Sequence, residues 1–226
     1  MNRQESLGEE GLNAAVYADL RQRLITGRMC PGFELSTRSL AAELGVSQTP
    51  VRDALSRLAA EGAVSIRSKR RVRVPPMTQE RFDDLLHCRM LLEPEAAALA
   101  LPHLTDTHVA KLRTVDAALD EAIAKGDAEG YMLANHAFHF TLYRAQGRRT
   151  LTQLIETMWV QFGPFMRVAY GRVSNANLND GHQAAIRAIV DRDAKALRAA
   201  IAHDISDGMG LIARTGLAPE GHAKAA

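Results

Sequence analysis

The sequence predicts a mainly α protein in two parts, a small helical domain that ends in a β-hairpin and a larger all-α domain. Apolar residues recur at helical spacing over most of the 226 residues, and aromatic residues are only 5% of the chain. Between residues 64 and 74 apolar and polar residues instead alternate, which is the period of a half-buried pair of strands. The Pro75-Pro76 pair then marks a domain boundary.

Residues 1–76 are predicted to contain three helices followed by the hairpin. The first covers residues 13–26, Ser36 is a good N-cap for the second, and Ser47 is a good N-cap for a third that runs to about residue 61. Gly45 makes a tight turn between the second and third helices. This order is typical of a winged helix-turn-helix, a DNA-binding fold with a hairpin wing.

Basic charge is concentrated in this first domain. Residues 36–76 contain eight Lys/Arg and three Asp/Glu, a net of +5. From residue 78 onward there are sixteen Lys/Arg and eighteen Asp/Glu, a net of −2. This asymmetry predicts a polyanionic partner for the first domain alone, and a double-stranded DNA operator is such a partner.

The third helix is the predicted recognition helix. Its N-terminal turns carry Gln48, Thr49 and Arg52 on the polar side, where base contacts usually fall. Ser47 begins the helix, and a helix N-terminus can meet a phosphate. A basic run at the hairpin tip suits phosphate or minor-groove contact: Lys69, Arg70 and Arg71. The alternative is that these side chains only solvate the surface.

Residues 40–55, Leu-Ala-Ala-Glu-Leu-Gly-Val-Ser-Gln-Thr-Pro-Val-Arg-Asp-Ala-Leu, closely resemble the signature of the GntR family of transcriptional regulators. The resemblance covers about residues 17–74 and implies a regulator rather than an enzyme. It also implies four operator-contacting positions: Arg38, Gln48, Thr49 and Arg52.

The chain departs from the family pattern at two places. The family usually has Arg, which reads guanine, where this chain has Gln48, and glutamine prefers the N6 and N7 of adenine. We therefore predict an operator that differs from the common family half-site at the base that Gln48 faces. The wing tip usually has a glycine, which the basic run replaces here, so we expect high phosphate affinity.

Residues 77–226 are predicted to form an all-α domain of about six helices. Thr78 caps the first, which runs over about residues 79–100 and bends at Pro94, and Thr105 caps the second. The other predicted spans are about 128–146, 149–171, 177–191 and 194–213.

Four polar residues of this domain lie among apolar neighbours. Asn135 and His139 share one helix face, His182 lies on a later predicted helix, and His203 lies on the helix after that. Three imidazoles and an amide oxygen would suit a divalent ion such as Zn²⁺ or Ni²⁺. On spacing alone, a histidine on an apolar face is more often a core residue.

The domain also resembles the FCD ligand-binding domain of the FadR subfamily. The motifs that carry this resemblance are Arg89-x-x-Leu92-Glu93-Pro94, Asn135-x-x-Phe138-His139, His182 and His203. The resemblance implies a metal site whose ligands are Asn135, His139, His182 and His203.

Arg89 is the predicted effector-binding residue, because its family counterpart often faces the effector pocket. A guanidinium can hold a carboxylate by two parallel hydrogen bonds. Together with a metal ion, Arg89 predicts a small organic acid as effector. The alternative is a structural ion pair between Arg89 and Glu93, one helical turn later.

Several expectations follow for the whole protein. Two operator half-sites require two winged domains, so we expect a homodimer, and repression is the more common outcome in the family. The two unpaired cysteines, the polar N-terminus and the lack of a membrane-spanning stretch favour the cytoplasm. A metal sensor is an alternative, and a metal-dependent enzyme fused to a DNA-binding domain is another. Against the enzyme, the sequence has no His-Glu-x-x-His pattern.

Overall fold

We describe the protein from a computed structural model, which covers residues 8–32, 34–68, 71–172 and 181–216. The chain divides into two compact units, residues 1–76 with 159–164 and residues 77–158 with 165–226. The sequence pattern predicts a boundary after residue 76. It does not indicate that a short later segment groups with the first unit.

The first unit contains three helices and a three-stranded antiparallel sheet in its described residues. These are α1 (Glu9–Ile25), β1 (Glu34–Ser36), α2 (Thr37–Leu44), α3 (Gln48–Ala60), β2 (Ser65–Ser68) and β3 (Arg71–Arg73). Strand β3 lies between β1 and β2. The predicted winged helix-turn-helix and its hairpin are confirmed. Sequence analysis missed β1, because a strand of three residues is too short to show alternation.

Local interactions fix the turn between α2 and α3. The Ser36 side chain accepts a hydrogen bond from the backbone N–H of Ser39 at 2.9 Å, so it caps α2 as predicted. Gly45 ends α2 with a φ of 66°, a left-handed conformation that favours glycine. Ser47 is the N-cap residue of α3 by position, but its side chain makes no capping hydrogen bond. The turn leaves α3 with its apolar side buried and its polar side exposed.

Six helices form the second unit in its described residues, which confirms the predicted all-α domain. They are α4 (Gln79–Ala100), α5 (Asp106–Lys125), α6 (Ala128–Ala145), α7 (Arg149–Arg172), α8 (His182–Val190) and α9 (Ala194–Arg214). Helix α4 continues through Pro94. The predicted start of α8 near residue 177 lies outside the described residues. None of the helices within the described ranges has both the length and the apolar character needed to cross a bilayer.

Five of these helices pack in a closed ring. Helix α5 packs on α6, α6 on α4, α4 on α9, α9 on α8, and α8 on α5. Each of the five therefore has a face toward a common interior. This arrangement brings together side chains that lie far apart in the sequence.

Candidate DNA interface and buried histidine site

The predicted DNA-contacting residues within the described part of the chain are all exposed: Arg38, Ser47, Gln48, Thr49, Arg52 and Arg71. Lys69 and Arg70 lie outside the described residues. On the opposite side of α3, Val51, Leu55 and Leu58 are buried in the core. The helix therefore has the two faces that a recognition helix needs.

Gln48 and Arg52 form a pair on the exposed side of α3. Arg52 Nη2 donates a hydrogen bond to Gln48 Oε1 at 3.1 Å, across one helical turn. This contact orients the Gln48 amide, since it fixes which end carries the oxygen. Glutamine reads adenine through both its oxygen and its NH₂ group. If Gln48 reads a base, as the sequence predicts, its preference therefore depends on Arg52 as well.

Arg71 is the described basic residue of the wing tip. Its Nη1 lies 3.2 Å from Glu34 Oε2, and the two side chains are 69% and 46% exposed. An ion pair this exposed contributes little to stability. Arg71 can therefore exchange Glu34 for a DNA phosphate at low cost.

The interior of the helical ring holds two histidines and an aspartate that face one another. The Nε2 atoms of His139 and His182 are 3.4 Å apart. Asp204 Oδ2 lies 3.1 Å from His139 Nε2, and Asp204 Oδ1 lies 3.9 Å from His182 Nε2. One ligand atom from each of the three residues falls within 4.8 Å of the others. Helices α6, α8 and α9 each supply one of these residues.

The other ring nitrogens of the two histidines have partners of their own. His182 Nδ1 lies 3.1 Å from the buried Asp116 carboxylate, so it carries a proton and donates it. His139 Nδ1 lies 3.0 Å from Tyr143 Oη, and the Tyr143 hydroxyl donates to Glu93 Oε2 at 2.9 Å. Because the single hydroxyl proton is used on Glu93, Tyr143 accepts from His139. In the neutral imidazoles, both Nε2 atoms therefore present lone pairs.

The pKa values of Asp204 and Tyr143 are both shifted, and the shifts determine which of the two groups carries a proton. Burial raises the pKa of Asp204, but the charge that the facing His139 and His182 carry when protonated, a hydrogen bond from His139 and the backbone N–H of Gly181 outweigh it, so the pKa lies well below its usual value. Burial and the neighbouring Glu93 carboxylate raise the pKa of Tyr143 well above its usual value. Asp204 therefore remains a carboxylate, and Tyr143 remains a hydrogen-bond donor.

The three groups fit a divalent metal ion. When both imidazoles are neutral, two lone pairs and a carboxylate meet here, and they repel one another unless a proton or a metal ion lies among them. In tetrahedral zinc coordination, Zn–N distances of about 2.0–2.1 Å place neighbouring ligand atoms about 3.4 Å from each other. The second ring nitrogen of each histidine is held by a carboxylate or a hydroxyl, which is the usual arrangement for metal-binding histidines.

The structure places His203 away from this cluster, which contradicts its prediction as a ligand. Its side chain is 59% exposed, and its Nδ1 lies 3.2 Å from Asp207 on the surface of α9. A step of one residue turns a helix by about 100°, so Asp204 faces the interior instead. The sequence contains the signal for this, because Leu197, Ala200 and Asp204 follow helical spacing along the buried side of α9.

Asn135, the fourth predicted ligand, is 9% exposed on α6, one turn before His139. Its role as a ligand stays a prediction. Sequence analysis did not identify Asp116, Tyr143 or Asp204. Asp116 is 2% exposed in a helix whose other residues include many exposed polar ones. In the sequence, Asp116 lies between Leu112 and Leu119 at helical spacing, and an acid on the apolar side of a helix is the signal that could have identified it.

Arg89 forms the ion pair that was the alternative to effector binding. Its side chain is 5% exposed, and its Nε and Nη2 donate to Glu93 Oε1 and Oε2 at 2.5 and 3.2 Å. Burial lowers the pKa of Arg89, but the Glu93 charge outweighs this and raises it. Glu93 thus already accepts the two parallel hydrogen bonds from Arg89 that an effector carboxylate would need. The prediction that Arg89 holds the effector does not fit this structure.

Comparison with known protein families assigns both units. Residues 12–74 match the family described as "Bacterial regulatory proteins, gntR family". Residues 84–207 match the FCD domain. The second match alone spans more than half of the chain.

Similar proteins agree with this assignment. The HTH-type transcriptional regulator McbR of Escherichia coli is 34% identical over 169 residues, which cover 75% of this chain and 76% of McbR. The solved structure of E. coli McbR/YncC has a TM-score of 0.85 and 30% identity, covering 90% of this chain and 98% of that one. A probable D-xylose utilization operon transcriptional repressor of Paenarthrobacter nicotinovorans is 25% identical over 180 residues, which cover 80% of this chain and 79% of the repressor.

These relatives are transcriptional regulators and not enzymes, so the alternative of a fused metal enzyme is set aside. The signature in α2 and α3, the basic wing and the FCD match agree on one assignment. This chain belongs to the GntR family of DNA-binding transcriptional regulators and combines a winged helix-turn-helix with an FCD domain.

Proposed function

We propose that this regulator is a homodimeric repressor controlled by a divalent metal ion and a small organic acid in its helical unit. The metal ligands would be His139, His182 and Asp204, with Asn135 as a further candidate. The observation that carries the proposal is the meeting of two imidazole nitrogens and a carboxylate within 4.8 Å of one another, with the outer ring nitrogens already bound to Asp116 and Tyr143.

The ligand set favours a metal of intermediate softness. Two imidazoles and a carboxylate suit Zn²⁺ or Ni²⁺ better than Mg²⁺ or Ca²⁺, which prefer oxygen ligands. A bound ion would supply a Lewis acid to which an organic carboxylate can attach. Since Arg89 is bound by Glu93, we assign Arg89 to neutralising the buried Glu93 carboxylate rather than to binding the acid directly.

Repression, dimerisation and location follow from the DNA-binding role. A dimer presents two winged domains to two half-sites of an operator. One relative is named as a repressor, and repression blocks transcription by simple occupancy of the operator. The regulator acts in the cytoplasm, where bacterial DNA is found.

Thermal unfolding of the full-length protein tests the metal site. The protein is stripped with a chelator, and Zn²⁺ or Ni²⁺ is added back. An ion at roughly 100 times its Kd should stabilise the folded state by about 2.7 kcal/mol and raise Tm. His139→Ala should remove this effect. An unchanged Tm with both ions would contradict the proposal.

DNA affinity then separates two modes of control. An operator obtained by binding-site selection is titrated with apo protein, with metal-loaded protein, and with metal-loaded protein plus a library of carboxylic acids. Under the proposal, an acid changes the affinity only when metal is present. If metal alone changes it and no acid does, the protein is a metal sensor instead.

A further inference from the structure

A second candidate ligand site lies on the outer side of the helical unit, between α5 and α6. It is a groove of about 410 Å³, which falls within the range of small-molecule sites. Basic side chains from both helices line it: His108, Lys111, His136 and Arg144. Among the described residues that line this groove, none is an Asp or a Glu. We refer to it as the basic groove.

An aromatic ladder on α6 forms one wall of the basic groove. His136, Phe140 and Arg144 are spaced four residues apart, so they lie along one side of the helix. The His136 ring stacks on Phe140 with centroids 4.3 Å apart, and the Arg144 guanidinium carbon lies 5.1 Å from the Phe140 centroid. Phe140 is itself only 1% exposed, so the surfaces that this wall offers to a planar ring are those of the His136 ring and the Arg144 guanidinium.

Helix α5 supplies the opposite wall with hydrogen-bond donors. His108 Nδ1 accepts a hydrogen bond from the backbone N–H of Thr105 at 3.3 Å, so the ring proton is on Nε2. His108 can therefore donate to an anion without becoming charged. Lys111 lies one turn later, is exposed, and carries a full positive charge.

One acid lies near the basic groove and must be counted. Glu156 on α7 accepts a hydrogen bond from Arg144 Nη2 at 2.9 Å, and the Arg144 side chain is 59% exposed. The Glu156 side chain is only 15% exposed, but this hydrogen bond uses one N–H of Arg144, and a guanidinium has further N–H donors. Arg144 therefore retains the capacity to bind a second anion.

A neighbouring groove between the same two helices shows that this charge pattern is not general. It also holds about 410 Å³, but acids line it together with a lysine. There Lys125 Nζ lies 2.6 Å from Glu121, and Asp127 is a further lining acid. Two grooves of equal size between the same helices therefore differ in charge, and one of them is suited to anions.

We propose that the basic groove is a binding site for a small aromatic carboxylate, separate from the buried histidine site. The carboxylate would lie against Lys111 and His108, and the ring against the His136 ring and the Arg144 guanidinium of α6. This site goes beyond the metal and effector site proposed above and does not depend on it.

The experiment is an isothermal titration of the full-length protein with benzoate, at fixed ionic strength and with chelator present. Benzyl alcohol has the same ring without the charge and is the control ligand. We expect saturable binding of benzoate and no measurable binding of benzyl alcohol. Absence of saturable benzoate binding, or equal binding of the alcohol, would overturn the proposal.

Matched variants locate the binding. Lys111→Gln should weaken benzoate binding by about fivefold, because it removes a charged partner at an exposed position. Lys125→Gln makes the same change in the neighbouring groove and should stay within about twofold. Equal weakening by both variants would indicate general charge attraction and overturn the site. If His139→Ala abolishes benzoate binding and Lys111→Gln does not, the anion binds at the histidine site, and the basic groove is excluded.

Discussion

The recognition helix α3 and the buried histidine site hold their polar side chains in opposite surroundings. Gln48 and Arg52 are exposed, and the bond that joins them is open to water. In the interior, Arg89 binds Glu93, Glu93 binds Tyr143, and Tyr143 binds His139. A lost partner is replaced by water on the surface, whereas in the interior it leaves a desolvated charge.

This difference separates DNA binding from the metal and effector binding proposed for the interior. Substitutions on the exposed side of α3 should change DNA binding and leave the free energy of unfolding almost unaffected. Substitutions among the interior groups should change stability as well as ligand binding. The following predictions test this separation, beginning with the largest effect.

Glu93→Gln should cause the largest loss of stability. The substitution keeps the shape of the side chain and removes the charge that compensates Arg89 in a place where Glu93 is fully buried. Breaking a buried ion pair in this way costs about 3–5 kcal/mol. Chemical denaturation followed by circular dichroism measures the change.

Glu95→Gln is the matched control on the same helix. Glu95 accepts from Arg198 at 2.9 Å, but the two side chains are 48% and 46% exposed. Its loss should cost at most about 1 kcal/mol. If the two variants cost the same, burial does not distinguish the two pairs and the comparison fails.

Gln48→Arg should change base preference on DNA and leave stability unchanged. Arginine reads guanine where glutamine reads adenine, and one such bidentate contact is worth about 1–3 kcal/mol of discrimination. Binding-site selection with the wild-type and variant proteins should differ at one position of each half-site. An unchanged preferred base would show that Gln48 does not read DNA.

Arg71→Gln should have the smallest effect, an equal weakening on all DNA sequences. If Arg71 contacts a phosphate, the slope of log affinity against log salt should fall in magnitude by roughly 0.9 per half-site. Arg187→Gln removes the same charge from an exposed position on α8 and is the control. Equal slopes for both variants would exclude Arg71 from the interface.

The sequence predicted the parts of the fold that depend on local chemistry. Helix α4 has the bounds 79–100 in both prediction and structure, because Thr78 caps its start and a long apolar pattern follows. The winged domain was predictable because its signature is contiguous. Strand β1 was not, since its partner β3 lies more than thirty residues later in the chain.

The histidine site was predictable in kind but not in every residue. His139 and His182 were identified because histidines among apolar neighbours stand out. The choice between His203 and Asp204 depended on which of them continues the buried spacing of Leu197 and Ala200 on α9, a signal that the prediction did not use. Asp116 and Tyr143 come from other helices, and their contacts arise only when the ring of five helices closes.

The most direct test compares two neighbouring residues of α9. Zn²⁺ affinity is measured by competition with a chelating dye for the wild type, Asp204→Ala and His203→Ala. Because Asp204 faces both imidazoles and His203 lies at the surface, Asp204→Ala should weaken binding by at least about tenfold, and His203→Ala by less than about twofold. A loss confined to His203→Ala, or an unchanged affinity in Asp204→Ala, would contradict the proposed metal site.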